Sequence, residues 1–372
     1  MTRKINTFNG KLGFQQRVLP SYRTVFFQTL ASKCDDGLSL FAGKPRPVEA
    51  IHTSSSIKDV ELTQANNQHL LSKQFYLCRQ TNIIEWLEET DPDVLIVEAN
   101  QRYPNTPDAI EWMHARSRKV LAWGLGAPSI NGIFSSFRTK RRYEFLSKLD
   151  GLISYSERGV QEYISLGISA EKVFVAHNAA SRRPSSPPPL KTKKKVGPME
   201  ILFVGRLQIR KKLDNLFRAC AELREQPNIV IAGDGPDRRH FELAAAKIYS
   251  NVVFVGPKYG EELKQYYQEA DIFVLPGTGG LAVQEAMANG LPIIVAQGDG
   301  TQDDLVRKNN GWLIPPNYQT ALTSTLKDAL SDLPRLRKMG AESFRITLEE
   351  INIDTMSDKF ISAINSVIEA SR

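Results

Sequence analysis

A chain of 372 residues exceeds what one ordinary hydrophobic core serves and fits two domains of similar size. Its 41% hydrophobic and 24% charged residues are the balance of a soluble globular protein, so the chain is expected to fold. The formal net charge of +7 points to anionic partners, whether phosphates, nucleotides, an anionic membrane surface or nucleic acid, without choosing among them.

Cys34, Cys78 and Cys220 are widely spaced and form no CxxC pair, which argues for a reducing compartment and against a zinc site; small buried hydrophobes are the expected role. No run approaches the roughly 20 apolar residues of a membrane span. Met1-Thr2-Arg3-Lys4 is followed by polar residues, so no signal peptide is expected and a cytoplasmic location is the default.

Taken in order, a mixed run from Leu12 to Val18 reads as a first strand. Pro20-Ser21-Tyr22-Arg23 turns into a helical pattern through Val25-Phe26-Phe27 and Leu30. Leu38-Ser39-Leu40-Phe41 reads as a second short strand, and the polar stretch from Lys44 to Asn67 as a long loop or insertion. Between Leu77 and Thr90, Ile83, Ile84 and Leu87 are spaced as in a helix, stopped by Asp91-Pro92-Asp93 before the strand Val94-Leu95-Ile96-Val97. The alternation recurs with a helix around Ala109 to Ala115, a strand Val120 to Trp123, a helix around Tyr143 to Leu149 and the strand Leu152-Ile153-Ser154. Repeated βα units with near-continuous apolar strands predict a parallel sheet covered on both faces.

After Val173 to Ala176, a proline-rich, basic stretch runs from Ser181 through Pro187-Pro188-Pro189 to Lys193-Lys194-Lys195 and reads as a solvated linker. The pattern then restarts: Ile201-Leu202-Phe203-Val204, Ile229 to Ala232, Val252 to Val255, Ile272 to Leu275 and Ile293 to Ala296 are five strands of a doubly wound domain. Its ligand is expected beyond their carboxyl ends. The tail from Ala341 to Ser371 reads as one or two closing helices. The expected division is 1–180, linker 181–198, 199–340 and closing helices 341–372.

The stretch Asp271 to Pro316 carries the strongest chemical signal. A strand, the turn Gly277-Thr278-Gly279-Gly280 and a helix beginning at Leu281 make an anion pocket, because glycines admit close backbone approach and the first helical N–H groups lack intrahelical partners. At the tip of the domain's first strand, Gly205-Arg206 and Lys211 place a guanidinium and an ammonium at the mouth of the sheet, suited to phosphate. Glu285, just over one turn into the helix, is placed to accept hydrogen bonds from a ribose diol, although a lone helical glutamate is usually just solvated. Asp234 in Gly233-Asp234-Gly235-Pro236 is explained by its tight turn.

The runs Phe203-Val204-Gly205-Arg206-Leu207 with Arg210-Lys211, Ile231 to Pro236, Asn251 to Gly256, Ala270 to Pro276, Glu285 to Pro292 and Asn310 to Pro316 together resemble the C-terminal domain of retaining glycosyltransferases of family 4. The resemblance implies an α/β fold with two Rossmann-like doubly wound domains facing across a cleft. It implies a nucleoside-diphosphate sugar as donor, with Arg206 and Lys211 on its diphosphate and Glu285 on its ribose. Gly279, Gly280 and Leu281 would face the diphosphate or sugar. Transfer would retain anomeric configuration, with no metal and no cofactor beyond the substrate.

Two positions depart from the family pattern. Gly277 stands where a glutamate usually contacts the donor sugar, leaving that contact to backbone amides, Thr278 or the other domain. Trp123-Gly124-Leu125-Gly126 stands where a histidine often follows the strand. The N-terminal domain resembles the family in architecture, as expected of an acceptor-binding domain, so Tyr22, Arg23 and Trp123 are acceptor-side candidates. Pro20 to Arg23 reads equally as a helix-capping turn.

Phe134 to Tyr143 mixes Phe137 with Arg138, Lys140, Arg141 and Arg142, which suits either an anionic lipid surface or a solvated helix face. The expected function is sugar transfer to a glycan or lipid-linked acceptor in surface polysaccharide assembly, in the cytoplasm or at the inner face of the membrane. The alternative is a catalytically silent nucleotide-sugar binder. A dinucleotide oxidoreductase is disfavoured because no Gly-x-Gly-x-x-Gly follows either first strand, and nucleic acid is not an expected partner.

Overall fold

In a computed structural model, which describes residues 6–49, 51–71, 76–188 and 197–370, the chain divides into two units. Unit 1 takes residues up to Asn178 and again from Ile353; unit 2 runs from Ala179 to Asn352. The expected linker groups with unit 2, and Pro188 approaches the turn at Gly290. Met1 to Lys4, Pro189, Lys191, Lys193 to Lys195 and Ser371 lie outside the described residues.

Unit 1 begins with β1 (Leu12–Val18), α1 (Thr24–Ala31), β2 (Leu38–Gly43), β3 (Glu61–Ala65), β4 (Asn67–Leu70) and β5 (Leu77–Gln80). It continues with α2 (Ile83–Thr90), β6 (Val94–Glu98), α3 (Thr106–His114), β7 (Lys119–Gly124), α4 (Ser135–Leu146), β8 (Gly151–Ser154), α5 (Glu157–Ser165) and β9 (Val173–Val175). Its seven-stranded sheet has the order β3-β2-β1-β6-β7-β8-β9. The pairings are parallel, with Leu12 opposite both Leu38 and Val94. β1, β2, β6, β7 and β8 are almost wholly buried, which is why they read as apolar runs without alternation.

Three expectations for this unit change. The polar loop from Lys44 to Asn67 contains β3, a parallel strand pairing with β2. Its sequence ELTQA is half exposed because it lies at the sheet edge, so no apolar signal marks it. Leu77 opens not a helix but β5, which forms an antiparallel pair with β4, and α2 starts only at Ile83. The helix expected around Tyr143 to Leu149 begins earlier, at Ser135, after Phe134 in the left-handed region (φ 64). Its buried residues, Phe145 and Leu146, come only at its end, so no core stripe marks its beginning.

Unit 2 follows with β10 (Glu200–Val204), α6 (Leu213–Ala221), β11 (Asn228–Ala232), α7 (Arg238–Ile248), β12 (Val252–Gly256), α8 (Gly260–Glu269) and β13 (Ile272–Leu275). Then come α9 (Leu281–Ala288), β14 (Ile293–Ala296), α10 (Thr301–Leu305), β15 (Gly311–Ile314), α11 (Gln319–Leu330) and α12 (Leu333–Glu349). Its sheet has six parallel strands in the order β12-β11-β10-β13-β14-β15, one more than expected because the half-buried edge strand β15 is short and carries Gly311.

The closing helices do not form one segment. α12 stays with unit 2: Arg337 donates to the buried Asp271 carboxylate at 2.8 Å, while Asp271 also accepts from Glu200 N. A Cβ at Gly340 would sit 2.1 Å from the Gly290 carbonyl, so only glycine lets α12 lie this close to the turn after α9. α13 (Ile353–Glu369) returns to unit 1 and lies against α1. Phe360 there joins Phe14, Phe26 and Trp123 at ring-centroid separations of 6.1, 5.1 and 5.5 Å.

All three cysteines are free and buried. Among the described residues no helix is long and apolar enough to cross a membrane. Truncating Phe360 to alanine removes a fully buried ring, so chemical denaturation should show unit 1 destabilised by about 3–5 kcal/mol; an unchanged unit 1 transition would contradict this assignment of α13.

Candidate functional site

In unit 2 the order of the strands reverses between β10 and β13, so the loops after these two adjacent parallel strands leave the same sheet edge side by side. That reversal is where doubly wound sheets bind ligands. Gly205 and Arg206 leave β10, with Arg206 exposed; Arg210 and Lys211 follow in a 3-10 turn, Ile209–Lys211. The loop after β13 carries Gly277 to Gly280 into α9.

The two loops are bonded to each other. Thr278 N donates to Arg210 O at 3.2 Å, Arg210 Nη1 donates to Thr278 Oγ1 at 3.1 Å, and Lys211 Nζ donates to Thr278 O at 2.6 Å. Lys211 is 8% exposed, and burial, with the nearby Arg210 charge, lowers its ammonium to a pKa of about 8. Lys211, Thr278 and Gly279 thus lie together, and Arg210 joins them.

Gly277 explains itself here. A Cβ at this position would stand 2.2 Å from Arg210 O and 2.7 Å from Lys211 Cα, so the chain has closed its own backbone over the place where the resembling family carries a glutamate. Gln302, on α10 and almost fully buried, donates to Gly279 O at 3.0 Å and fixes the glycine turn. Sequence reading missed Gln302 because its element is one short turn without apolar periodicity.

Gly280 caps α9 without any side-chain hydrogen bond, so the N–H groups at Leu281 and beyond are not claimed by a capping side chain. Glu285 keeps solvent contact one turn along α9. Its carboxyl is nonetheless hemmed in enough that burial raises its pKa above the usual range, while the nearby Tyr267 hydroxyl pulls it down. Tyr267, buried on α8, was not foreseen; its apolar neighbours hide it in a core pattern.

The acceptor-side candidates Tyr22, Arg23 and Trp123 all line one cavity of about 220 Å³ in unit 1. Trp123 is largely a core residue, 2% exposed, with its ring 4.8 Å from that of Tyr155. Arg23 is also buried, its guanidinium 5.2 Å from the Tyr22 ring and 5.1 Å from the Trp123 ring, and it donates to Asn178 Oδ1. Glu98 lines the same cavity; burial raises its carboxyl while hydrogen bonds from Arg17 N and the Tyr103 hydroxyl pull it down. Neither Arg17 nor Glu98 was foreseen, since each reads as the polar end of an apolar strand. Among the described residues no group of three or more His, Cys, Asp and Glu is arranged to hold a metal ion.

Comparison with solved structures shows the class of fold. The lipopolysaccharide outer core galactosyltransferase WaaB aligns over 97% of this chain and 100% of its own at a TM-score of 0.67 and 17% identity. Sucrose-phosphate synthase from Thermosynechococcus elongatus aligns over 97% and 99% at 0.71 and 16% identity. The fold is the two-domain B-type glycosyltransferase fold, each domain Rossmann-like and doubly wound.

Residues 189–345 match the family described as glycosyl transferases group 1. Over 125 residues the chain is 37% identical to an uncharacterized glycosyltransferase of Methanocaldococcus jannaschii, covering 32% of each protein. It is 36% identical over 146 residues to a GDP-mannose-dependent alpha-mannosyltransferase of Mycobacterium tuberculosis, covering 38% of this chain and 36% of that one. A putative colanic acid biosynthesis glycosyltransferase of Escherichia coli is 30% identical over 43% of each. The chain therefore spans less than half the length of these curated relatives.

Burying the Lys211 charge costs stability. Lowering its pKa from about 10.5 to about 8 corresponds to roughly 3 kcal/mol, present in full below pH 8, where folded and unfolded chains are both charged. The cost fades as pH rises from 8 to 10.5, because the folded chain then releases a proton the unfolded chain keeps. Lys211→Met loses the hydrogen bond to Thr278 but also this cost, so it should stabilise the ligand-free protein by about 1–3 kcal/mol at pH 7, shrinking toward pH 10. Urea melts at both pH values test this; a destabilised variant at pH 7 contradicts it.

Proposed function

We propose that the protein is a glycosyltransferase that moves a sugar from a nucleoside-diphosphate sugar to a glycan or lipid-linked acceptor with retention of anomeric configuration, in assembly of a surface polysaccharide. The observation that carries this reading is the Lys211 ammonium, buried at the switch point of unit 2 against the glycine turn, with one N–H on Thr278 O. A charge held there at a cost, beside a helix N-terminus without a side-chain cap, is set to receive an anion. The group 1 match and the relatives named for mannosyl transfer and colanic acid biosynthesis support a diphosphate sugar as that anion.

In this reading Arg206 and Lys211 take the diphosphate and stabilise the charge that grows on it as the glycosidic bond breaks, acting without a metal. The backbone N–H groups around Gly279, Gly280 and Leu281 add donors to it, and Thr278 borders the sugar end. Glu285 accepts the ribose hydroxyls. Unit 1 binds the acceptor.

A second reading, a silent nucleotide-sugar binder, is favoured by one observation: the Arg210–Lys211 backbone leaves no room for a carboxylate at position 277. Turnover across a nucleotide-sugar panel separates the two, since binding without transfer or hydrolysis selects the silent protein. Arg206→Ala and Lys211→Ala should each weaken nucleoside-diphosphate binding by about 1–3 kcal/mol in calorimetry. Unchanged affinity in both variants rejects either reading.

Peripheral attachment to an anionic inner membrane face completes the proposal. Ile133, Phe134 and Phe137 are exposed at the start of α4, beside exposed Arg138, Lys140 and Arg141. Arg142 is excluded from this face because it turns back to Pro128 O at 2.6 Å. Neutralising Arg138, Lys140 and Arg141 should abolish flotation with phosphatidylglycerol vesicles; undiminished flotation removes the membrane from the account.

A further inference from the structure

Unit 1 has its own reversal of strand order, between β1 and β6, and the cavity of about 220 Å³ opens at that point. Gln16, Arg17 and Val18 come from the end of β1, Glu98 from the end of β6 and Trp123 from the end of β7, while Tyr155 follows β8. Parallel sheets bind ligands beyond their carboxyl ends at such reversals. The volume is below the roughly 300–1,000 Å³ of drug-sized sites, so it admits one compact group.

The cations around it are already engaged. The Arg17 guanidinium is held by Glu49 at 2.9 Å, and Arg23 donates to Asn178 Oδ1 between the Tyr22 and Trp123 rings. A phosphate or carboxylate ligand would have to lie against the Glu98 carboxylate. Glu98 is instead arranged to receive donors. Its Oε1 accepts Arg17 N at 2.7 Å and its Oε2 accepts the Tyr103 hydroxyl at 2.8 Å, using one lone pair on each oxygen. A carboxylate has about four such sites, so one on each oxygen remains for a pair of hydroxyls. Around it, Tyr22, Tyr103, Trp123 and Tyr155 present ring surface with polar tips.

We infer that this cavity binds an uncharged sugar ring through two neighbouring hydroxyls, with the Glu98 carboxylate as their acceptor and the Tyr22 ring as a wall. Calling that sugar the terminal unit of the acceptor rests on the proposed glycosyltransferase function; the binding itself does not.

Saturation-transfer NMR on the full chain tests it, with methyl mannoside, glucoside and galactoside as neutral probes and glucose phosphate and glucuronic acid as charged ones. At least one neutral glycoside should bind, and Glu98→Gln and Tyr22→Ala should each weaken that binding about tenfold or more. Tyr22 is half exposed, so its variant decides the matter should Glu98→Gln fail to fold. The inference is overturned if no neutral probe binds, if only the charged probes bind, or if neither substitution changes neutral binding. Affinity for UDP and GDP is measured on the same samples. Glycoside binding without nucleotide binding leaves the cavity standing and removes the proposed function, and nucleotide binding without glycoside binding does the reverse.

Discussion

The close approach of two loops at the centre of unit 2 governs the rest of its site. Backbone from Arg210 and Lys211 lies directly on the α-carbon of Gly277, and Thr278 is bonded back to both residues. This contact buries a lysine that water would otherwise solvate, and it removes space for a side chain at position 277. One constraint thus produces both the cation and the missing carboxylate. The glycine is no gap in the site; it is what allows the lysine to sit where it does.

Each unit repeats the same device at a different level of chemistry. A parallel sheet reverses its strand order beside its first strand, and polar residues gather at the carboxyl ends there. Unit 2 gathers cations and glycines, the chemistry of a diphosphate. Unit 1 gathers Glu98, two arginines and aromatic rings, which suits the hydroxylated ring inferred above. α13 matters to the second because Phe360 supports Trp123, the floor of that cavity.

What was legible in the sequence follows burial. Strands covered on both faces, such as Val94 to Val97 and Ile272 to Leu275, show as apolar runs, and the motif residues Arg206, Lys211 and Glu285 could be placed from the strands and helices that hold them. The edge strands Glu61–Ala65 and Gly311–Ile314 were missed because half exposure erases the pattern. Gln302, Tyr267 and Glu98 were missed for a related reason: each acts through a partner distant in sequence, and no local spacing records that Gln302 reaches Gly279 or that Glu98 accepts from Arg17 N. The return of the last helix to unit 1 was equally invisible, since its apolar stripe does not say which core it covers.

The central claim is that Lys211 is a buried cation waiting for an anion. Carbon-labelled lysine NMR reads its titration directly. The account predicts a Lys211 resonance titrating near pH 8 in the free protein and moving up by at least one unit when UDP or GDP is added, because a bound diphosphate favours the charged form. A resonance that titrates at the ordinary lysine value, or one near 8 that neither nucleotide moves, contradicts it.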